Sequence, residues 1–310
     1  MVPPSQVDKF AVAASARISA RTQYYEPLDT PRTNTQTASS SNKVSVKRFL
    51  KLTIAYDGTD YVGWQVQPNG ISVQQRLEEA WLSATGEQLR ITASGRTDSG
   101  VHARGQVCSL ATETSLTNRD LVRALNALTP EDIAVLQVQD AAEGFHAIRD
   151  AVEKTYGYQI QHGYIMDPLR RRECWFVTRD LDVEAMRQAA TFLIGRYDFT
   201  SFQSLGAERL STVRTVKRLE IELHKDSLLP ALTIWIAADG FLYNMVRRIV
   251  GSLVRVGRGS EQPDWVQWVL EQKNGSLSGQ TAPAHGLFLD HVQYCDESNE
   301  PAGSSGEQKV

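Results

Sequence analysis

The stretch Arg48-Phe-Leu-Lys-Leu-Thr-Ile-Ala-Tyr56 alternates apolar and polar side chains and predicts a half-buried β-strand. A turn signal, Asp57-Gly-Thr-Asp60, follows it, and a capping box at Ser72-Val-Gln-Gln75 then predicts the start of a helix. Apolar residues at helical spacing continue as far as Gly86, which predicts the end of that helix. A strand, a turn and an amphipathic helix therefore open the ordered part of the chain.

The same alternation of strands and helices recurs in both halves of the sequence. Further strands are predicted at 89–93, 105–112, 133–138, 155–161, 174–178, 213–223 and 232–238, and further helices at 118–128, after Asp182, at 241–256 and from about Pro263. This pattern predicts an α+β fold of two similar lobes that share a central, mostly antiparallel sheet flanked by helices. We place an N-terminal lobe at 48–150 and a C-terminal lobe at 151–295.

The two ends of the chain have a different composition from the lobes. Residues 1–47 are rich in Ser, Thr, Ala and Gln without periodicity, and residues 296–310 are similar, which predicts a disordered leader and a disordered tail. The leader lacks the apolar core of a secretory signal. It is poor in acidic residues, as transit peptides are, but a plain disordered extension or a start codon assigned too early explains it more simply.

Composition excludes several classes of protein. With 41% hydrophobic and 22% charged residues, the 310-residue chain is typical of a globular protein, and no apolar run reaches the roughly 18 residues of a membrane span. Three scattered cysteines and six histidines outside ligand spacing predict neither disulfides nor a metal site. The net charge of −3 does not by itself indicate nucleic-acid binding, so that any basic binding face would be a local patch such as Arg170–Arg172.

The densest cluster of reactive side chains is Ser94-Gly-Arg-Thr-Asp-Ser-Gly-Val-His-Ala103. Two glycines bracket a short loop directly after a strand, and glycine permits a positive φ and close backbone approach to a ligand. Asp98, with Arg96 two residues away, is a candidate nucleophile or base. On residue types alone, an ion-paired hairpin turn is the simpler interpretation.

Other candidate residues are individually weak. Tyr156 and Tyr158 in the run Lys154-Thr-Tyr-Gly-Tyr158 share one strand face, where such residues are usually core but one of them could stack on a base. Arg247 lies at the margin of an apolar helical stripe, from which it could reach a buried carboxylate or extend to solvent. The Asp57–Asp60 turn lacks the lysine of a phosphate-binding loop, and His102 and His146 are single.

Taken in order, six segments resemble the TruA-type tRNA pseudouridine synthase family over roughly residues 48–295. The run from Ser94 to Ala103 is the most specific of them. The segments are Tyr56–Gln65, Ser94–Ala103, Phe145–Ala147, Lys154–Tyr158, Asp198–Phe202 and Met245–Leu253, and Gly286–Leu289 resembles the family's closing strand.

The resemblance implies an isomerase without cofactor or metal that converts uridine to pseudouridine at positions 38, 39 and 40 of the tRNA anticodon stem-loop. Asp98 matches the family's nucleophile, and Arg96 matches the arginine that takes the place of the flipped-out nucleotide. Tyr156 matches the tyrosine that stacks on the target base and assists proton removal, and Arg247 matches the basic partner of the nucleophile. The family's lobes flank an active-site cleft.

The resemblance also implies a cytoplasmic homodimer that binds tRNA and has no contact with membranes. We expect Arg247 to hold Asp98 ionised by lowering its pKa. Two alternatives are a relative that modifies other RNA sites and a non-catalytic RNA-binding protein. A phosphotransferase that uses the Asp57–Asp60 turn is disfavoured, because no cradling lysine or metal-binding carboxylate cluster accompanies it.

Overall fold

A computed structural model describes residues 47–204, 211–225 and 227–295. The predicted leader, apart from Lys47, and the predicted tail lie outside the described residues. None of the helices in the described part of the chain is long and apolar enough to cross a membrane. The lobe boundary at residue 150 stays a prediction.

Ten strands in the described ranges form one sheet. They are β1 (Arg48–Tyr56), β2 (Thr92–Ala93), β3 (His102–Thr112), β4 (Ile133–Asp140), β5 (Ala151–Gly163), β6 (Trp175–Thr178), β7 (Gly195–Asp198), β8 (Val213–Leu223), β9 (Ala231–Ala238) and β10 (Leu287–Tyr294). The main order is β4-β1-β3-β10-β5-β9-β8-β7, with β2 beside β3 and β6 beside β5. Only the β3–β10 and β5–β6 pairings of these strands are parallel, so the predicted α+β fold with a mostly antiparallel sheet is confirmed.

Five α-helices accompany the described strands. They are α1 (Val73–Thr85), α2 (Asn118–Leu128), α3 (Val183–Thr191), α4 (Met245–Gly257) and α5 (Trp265–Gln272). The predicted caps are confirmed at the ends of α1, where the Ser72 hydroxyl accepts from the Gln75 N–H and Gly86 adopts a left-handed conformation. Only half of the predicted capping box forms, since the Gln75 side chain donates to Glu79 instead.

Helix α4 differs most from its prediction. It was expected from Phe241 but begins at Met245, because Asn244 takes a left-handed φ of 59° that ends any continuous helix there. Leu242 extends the apolar stripe that predicted the helix, but it is buried in a segment that is not helical. Sequence analysis also missed β7, a short strand whose pattern of partial exposure carries little periodic signal.

The central strands bring the two halves of the chain together. Strand β10, the last in sequence, lies between β3 of the first half and β5 of the second, with Leu289 beside both Ala103 and Tyr156. The loop that carries Asp98 ends where β3 begins. This topology therefore places the Asp98 loop and the Tyr156 strand on either side of β10.

Candidate active site

The loop from Ser94 to Val101 is held closely by the turn that follows β1. Gly63 has a φ of 107°, and a β-carbon there would come within 2.7 Å of the Thr97 carbonyl oxygen. Glycine permits this approach, and the Trp64 N–H donates to the same carbonyl at 3.0 Å. The Val101 N–H donates to the Asp98 carbonyl at 3.1 Å. The backbone on both sides of the Asp98 side chain is thus fixed.

Buried side chains of β1 and β3 form hydrogen bonds with this loop. The Tyr56 and Thr97 hydroxyls lie 2.8 Å apart. The Gln106 amide nitrogen donates to the Gly95 carbonyl at 2.8 Å, and its amide oxygen accepts from the Ser94 hydroxyl at 2.7 Å. Gln106 and Ser94 are fully buried, where leaving such groups unpaired would be costly. These contacts fix the loop to β1 and β3.

Asp98 and Arg247 form an ion pair across the site. An Arg247 Nη1 nitrogen lies 3.6 Å from Asp98 Oδ2, and the two side chains are 17% and 29% exposed, respectively. Arg247 is oriented by two other acceptors, the Ala282 carbonyl at 2.7 Å and the Asn244 side-chain oxygen at 2.9 Å. The guanidinium is therefore positioned independently of the carboxylate that it faces.

The pKa of Asp98 is raised above its ordinary value, which corrects the expectation of a net lowering. Burial is the larger cause, because it disfavours the charged carboxylate, and Arg247 lowers the pKa but offsets burial only in part. The predicted influence of Arg247 has the right sign. The missing contribution is desolvation, which no sequence pattern reveals. Asp98 is thus a desolvated carboxylate with a cation beside it.

Tyr156 forms an aromatic wall near Asp98. Its ring packs edge-on against Phe241 with 5.0 Å between centroids, and the residue is 8% exposed. Burial is the main cause that raises the pKa of Tyr156, and the charges of Tyr56 and Asp98 raise it further. The side chain therefore remains a neutral phenol at neutral pH.

A segment that sequence analysis missed, residues 282–286, lines the same region. The Ala282 carbonyl orients Arg247, and the Pro283 carbonyl accepts from the Tyr158 hydroxyl at 2.7 Å. The His285 carbonyl lies 3.0 Å from the His102 Nε2 nitrogen. Its contribution is made by backbone carbonyls, which leave no side-chain signal in a sequence.

The remaining candidates have other surroundings. Arg96 is exposed on the Ser94–Val101 loop. Trp64 is 3% exposed and packs in the core. His146 accepts from two backbone N–H groups, and His102 contacts two backbone carbonyls, so both have structural partners. In the basic cluster, Arg172 forms an ion pair with Asp60 at 3.6 Å.

No group of three or more His, Cys, Asp or Glu residues in the described ranges has the geometry to hold a metal ion.

Comparison with known proteins identifies the family. A family model described as tRNA pseudouridine synthase matches residues 52–148 and 189–295. The chain belongs to the tRNA pseudouridine synthase family. This confirms the resemblance to TruA-type enzymes, a family of isomerases that convert uridine to pseudouridine.

Individual relatives agree with the family match. The chain is 45% identical over 247 residues to tRNA pseudouridine synthase A of Pelobacter propionicus, covering 80% of this chain and all of the relative. It is 42% identical to the protein of that name from Geobacter sulfurreducens and 40% identical to tRNA pseudouridine synthase A 2 of Clostridium perfringens, with the same coverage. Among solved structures, a Cbf5-Nop10-Gar1 complex aligns over 77% of this chain and 57% of the other, with a TM-score of 0.30 and 10% identity.

The family match covers most of the candidate site. Arg96, Asp98 and Arg247 lie within the two matched segments, and Tyr156 lies between them. The candidate site therefore combines residues from both matched segments with one residue from β5.

Proposed function

We propose that this tRNA pseudouridine synthase isomerises uridine at positions 38, 39 and 40 of the tRNA anticodon stem-loop, with Asp98 as the nucleophile. One observation carries the proposal: the Asp98 carboxylate is largely desolvated and lies 3.6 Å from an Arg247 guanidinium that other groups hold in place. A carboxylate in such surroundings is activated, because it has lost its hydration without gaining a full set of hydrogen bonds.

The reaction requires an ionised Asp98. The N1–C1′ bond breaks, the uracil rotates, and a C5–C1′ bond forms; the proton on C5 is released and N1 gains one. Asp98 can act on the ribose C1′, on the base or on a ribose proton, and each of these routes begins from the carboxylate. Arg247 favours that charged form against the desolvation that opposes it.

The target nucleotide has to leave the stem before Asp98 can reach it. Base flipping costs about a few kcal/mol in lost stacking and pairing. Arg96, which is exposed on the same loop as Asp98, would fill the vacated space and offset part of that cost.

Tyr156 keeps the freed uracil in place. Its ring packs against Phe241 and is largely buried, so it would form a rigid wall beside the base. Because burial keeps Tyr156 protonated, any help with the C5 proton comes from a neutral phenol rather than a phenolate.

The enzyme acts as a cytoplasmic homodimer that needs no metal or cofactor. Since the net charge of the chain is −3, phosphate binding depends on local basic patches. We therefore expect the affinity for tRNA to fall steeply as salt rises.

The experiment measures tritium release from tRNA whose uridines carry ³H at C5. Three substrates keep a single uridine of the anticodon stem-loop, at position 38, 39 or 40, and a matched control has cytidine at all three positions. We expect release from each of the three substrates and none from the control. Equal release from the control would overturn the positional assignment, and no release from any substrate would overturn the reaction itself.

A further inference from the structure

Lys154 lies on the same strand as Tyr156 and contacts the Ser94–Val101 loop. Residues 154 and 156 are two apart in the regular part of β5, so their side chains leave the same face of the strand. The half-buried Lys154 ammonium donates to the Ser94 carbonyl at 2.6 Å. A β-carbon on Gly95 would lie 3.3 Å from the Lys154 nitrogen, so the loop backbone passes directly beside the charge.

The start of the Ser94–Val101 loop is thus held from β3 and from β5. Gln106 on β3 binds the Ser94 hydroxyl and the Gly95 carbonyl, and Lys154 on β5 binds the Ser94 carbonyl. Lys154 is the contact that joins the loop to the strand of Tyr156. A hydrogen bond from a charged donor is shorter and stronger than one between neutral groups.

We propose that Lys154 is a positioning residue, which holds the Ser94–Asp98 loop in register with Tyr156 so that the carboxylate and the aromatic wall meet the same uridine. The inference rests on the proposed role of Asp98. The loop comes from the first half of the chain and Tyr156 from the second, so their separation depends on the contacts that join them.

Small errors in this separation are expected to be costly. A misplacement of about 1 Å can slow an enzyme roughly 100-fold, because reacting groups must approach in a narrow range of geometries. Without Lys154, contacts with β1, β3 and β10 still attach the loop, but its direct bond to β5 is lost, so its position relative to Tyr156 is less closely fixed.

The test compares Lys154→Met with Lys217→Met. Lys217 is a matched control, because its ammonium also bonds a β5 backbone carbonyl, that of Val152 at 3.4 Å, but is exposed and away from the loop. Single-turnover tritium release is measured with saturating enzyme, together with the Kd for tRNA. Lys154→Arg keeps a charged donor and tests rescue.

We expect Lys154→Met to lose about 10- to 100-fold in the single-turnover rate while its Kd for tRNA stays within twofold. Lys217→Met should match the wild type, and Lys154→Arg should recover most of the rate. A rate within twofold of wild type would overturn the proposal. So would a loss confined to the Kd, since Lys154 would then act by binding RNA.

Amide hydrogen exchange gives a readout that is independent of catalysis. The Val101 N–H, which bonds the Asp98 carbonyl, should exchange about tenfold faster in Lys154→Met than in Lys217→Met, because the loop opens more often. An unchanged exchange rate of the Val101 N–H would overturn the proposal that Lys154 holds the loop. If Lys154→Met does not fold, Lys154→Gln, which keeps an N–H donor without the charge, replaces it under the same criteria.

The Asp98→Asn variant separates this inference from the proposed function. If Asp98→Asn kept its turnover, the proposed nucleophile would be wrong, whereas the exchange of Val101 in Lys154→Met would still decide whether the lysine positions the loop.

Discussion

Two aspartates, Asp98 in the first half of the chain and Asp198 in the second, both face a cation; Asp98 lies in the loop after β2, and Asp198 is the last residue of β7. Asp98 Oδ2 lies 3.6 Å from Arg247, and Asp198 Oδ2 lies 3.3 Å from Lys273. Their pKa values move in opposite directions: that of Asp98 is raised, and that of Asp198 is lowered to about 2.

Hydrogen bonding explains the difference. Asp198 Oδ1 accepts from the Thr200 N–H at 3.1 Å and from the hydroxyls of Thr200 and Thr212, each at 2.6 Å. These donors and Lys273 more than offset the desolvation of Asp198. Arg247 alone does not offset the greater desolvation of Asp98.

The comparison separates a carboxylate that its surroundings satisfy from one that they do not. Asp198 is satisfied by Thr200, Thr212 and Lys273 and stabilises the fold as an anion. Asp98 is held in place through its backbone, while its carboxylate is desolvated and has fewer donors. Such a group costs stability in the free enzyme, which is typical of functional sites.

Among the variants that test the difference between the two aspartates, we expect Arg247→Met to have the largest effect on the reaction rate. Removing a preorganised cation from the site should slow single-turnover tritium release by about 100-fold. Because Arg247 lowers the pKa of Asp98, its loss should also move the acidic limb of the rate–pH profile to higher pH.

Arg255→Met is the control for Arg247→Met. Arg255 lies on the same helix, α4, and forms a more exposed ion pair with Glu261. Its replacement should change neither the rate nor the profile. An acidic limb that stays at the wild-type pH in Arg247→Met would contradict the proposed pairing with Asp98.

Asparagine substitutions at the two aspartates should change stability in opposite directions at pH 7. Asp98→Asn removes a charge that burial disfavours and should raise the free energy of unfolding, whereas Asp198→Asn should lower it by about 2 kcal/mol, since several hydrogen bonds to a charged group are weakened. Thermal denaturation should show shifts of about 2–4 °C per kcal/mol.

The pH dependence of these shifts follows from the two pKa directions. A raised folded pKa makes the carboxylate of Asp98 costly only at higher pH, so the gain in Asp98→Asn should vanish in acid. A lowered folded pKa gives stability that is lost as pH falls toward 2, so the deficit of Asp198→Asn should shrink in acid. If Asp98→Asn and Asp198→Asn changed the stability in the same direction at pH 7, the explanation of their different pKa values would be wrong.

The smallest effect is expected for Thr200→Val. This change removes one hydroxyl bond to Asp198 and leaves the backbone N–H bond, so it should cost about 1 kcal/mol. Chemical denaturation at pH 7 measures it. Turnover should be unchanged; a slowed reaction would mean that the Asp198 loop contributes to catalysis.

Much of the fold is visible in local sequence patterns. The strand at 48–56 and helix α1 follow from alternation and capping, because both signals depend on neighbouring residues. The start of α4 was wrong, since a left-handed Asn244 looks no different in sequence from a helical one.

The residues of the candidate site could be predicted from the sequence, but the burial and the contacts that surround them could not. The loop around Asp98 combines reactive side chains with glycines. The resemblance to a known family then identified Arg247 and Tyr156 as candidate partners of Asp98. The net pKa shift of Asp98 and the backbone carbonyls of residues 282–286 depend on contacts between distant segments. No local pattern reports such contacts.

The most direct test of the account is single-turnover tritium release from C5-tritiated tRNA by wild type, Asp98→Asn and Asp198→Asn. We predict that Asp98→Asn binds tRNA as wild type does but releases no tritium, because an amide cannot serve as the nucleophile. Asp198→Asn should retain turnover. Release by Asp98→Asn at the wild-type rate would contradict the account.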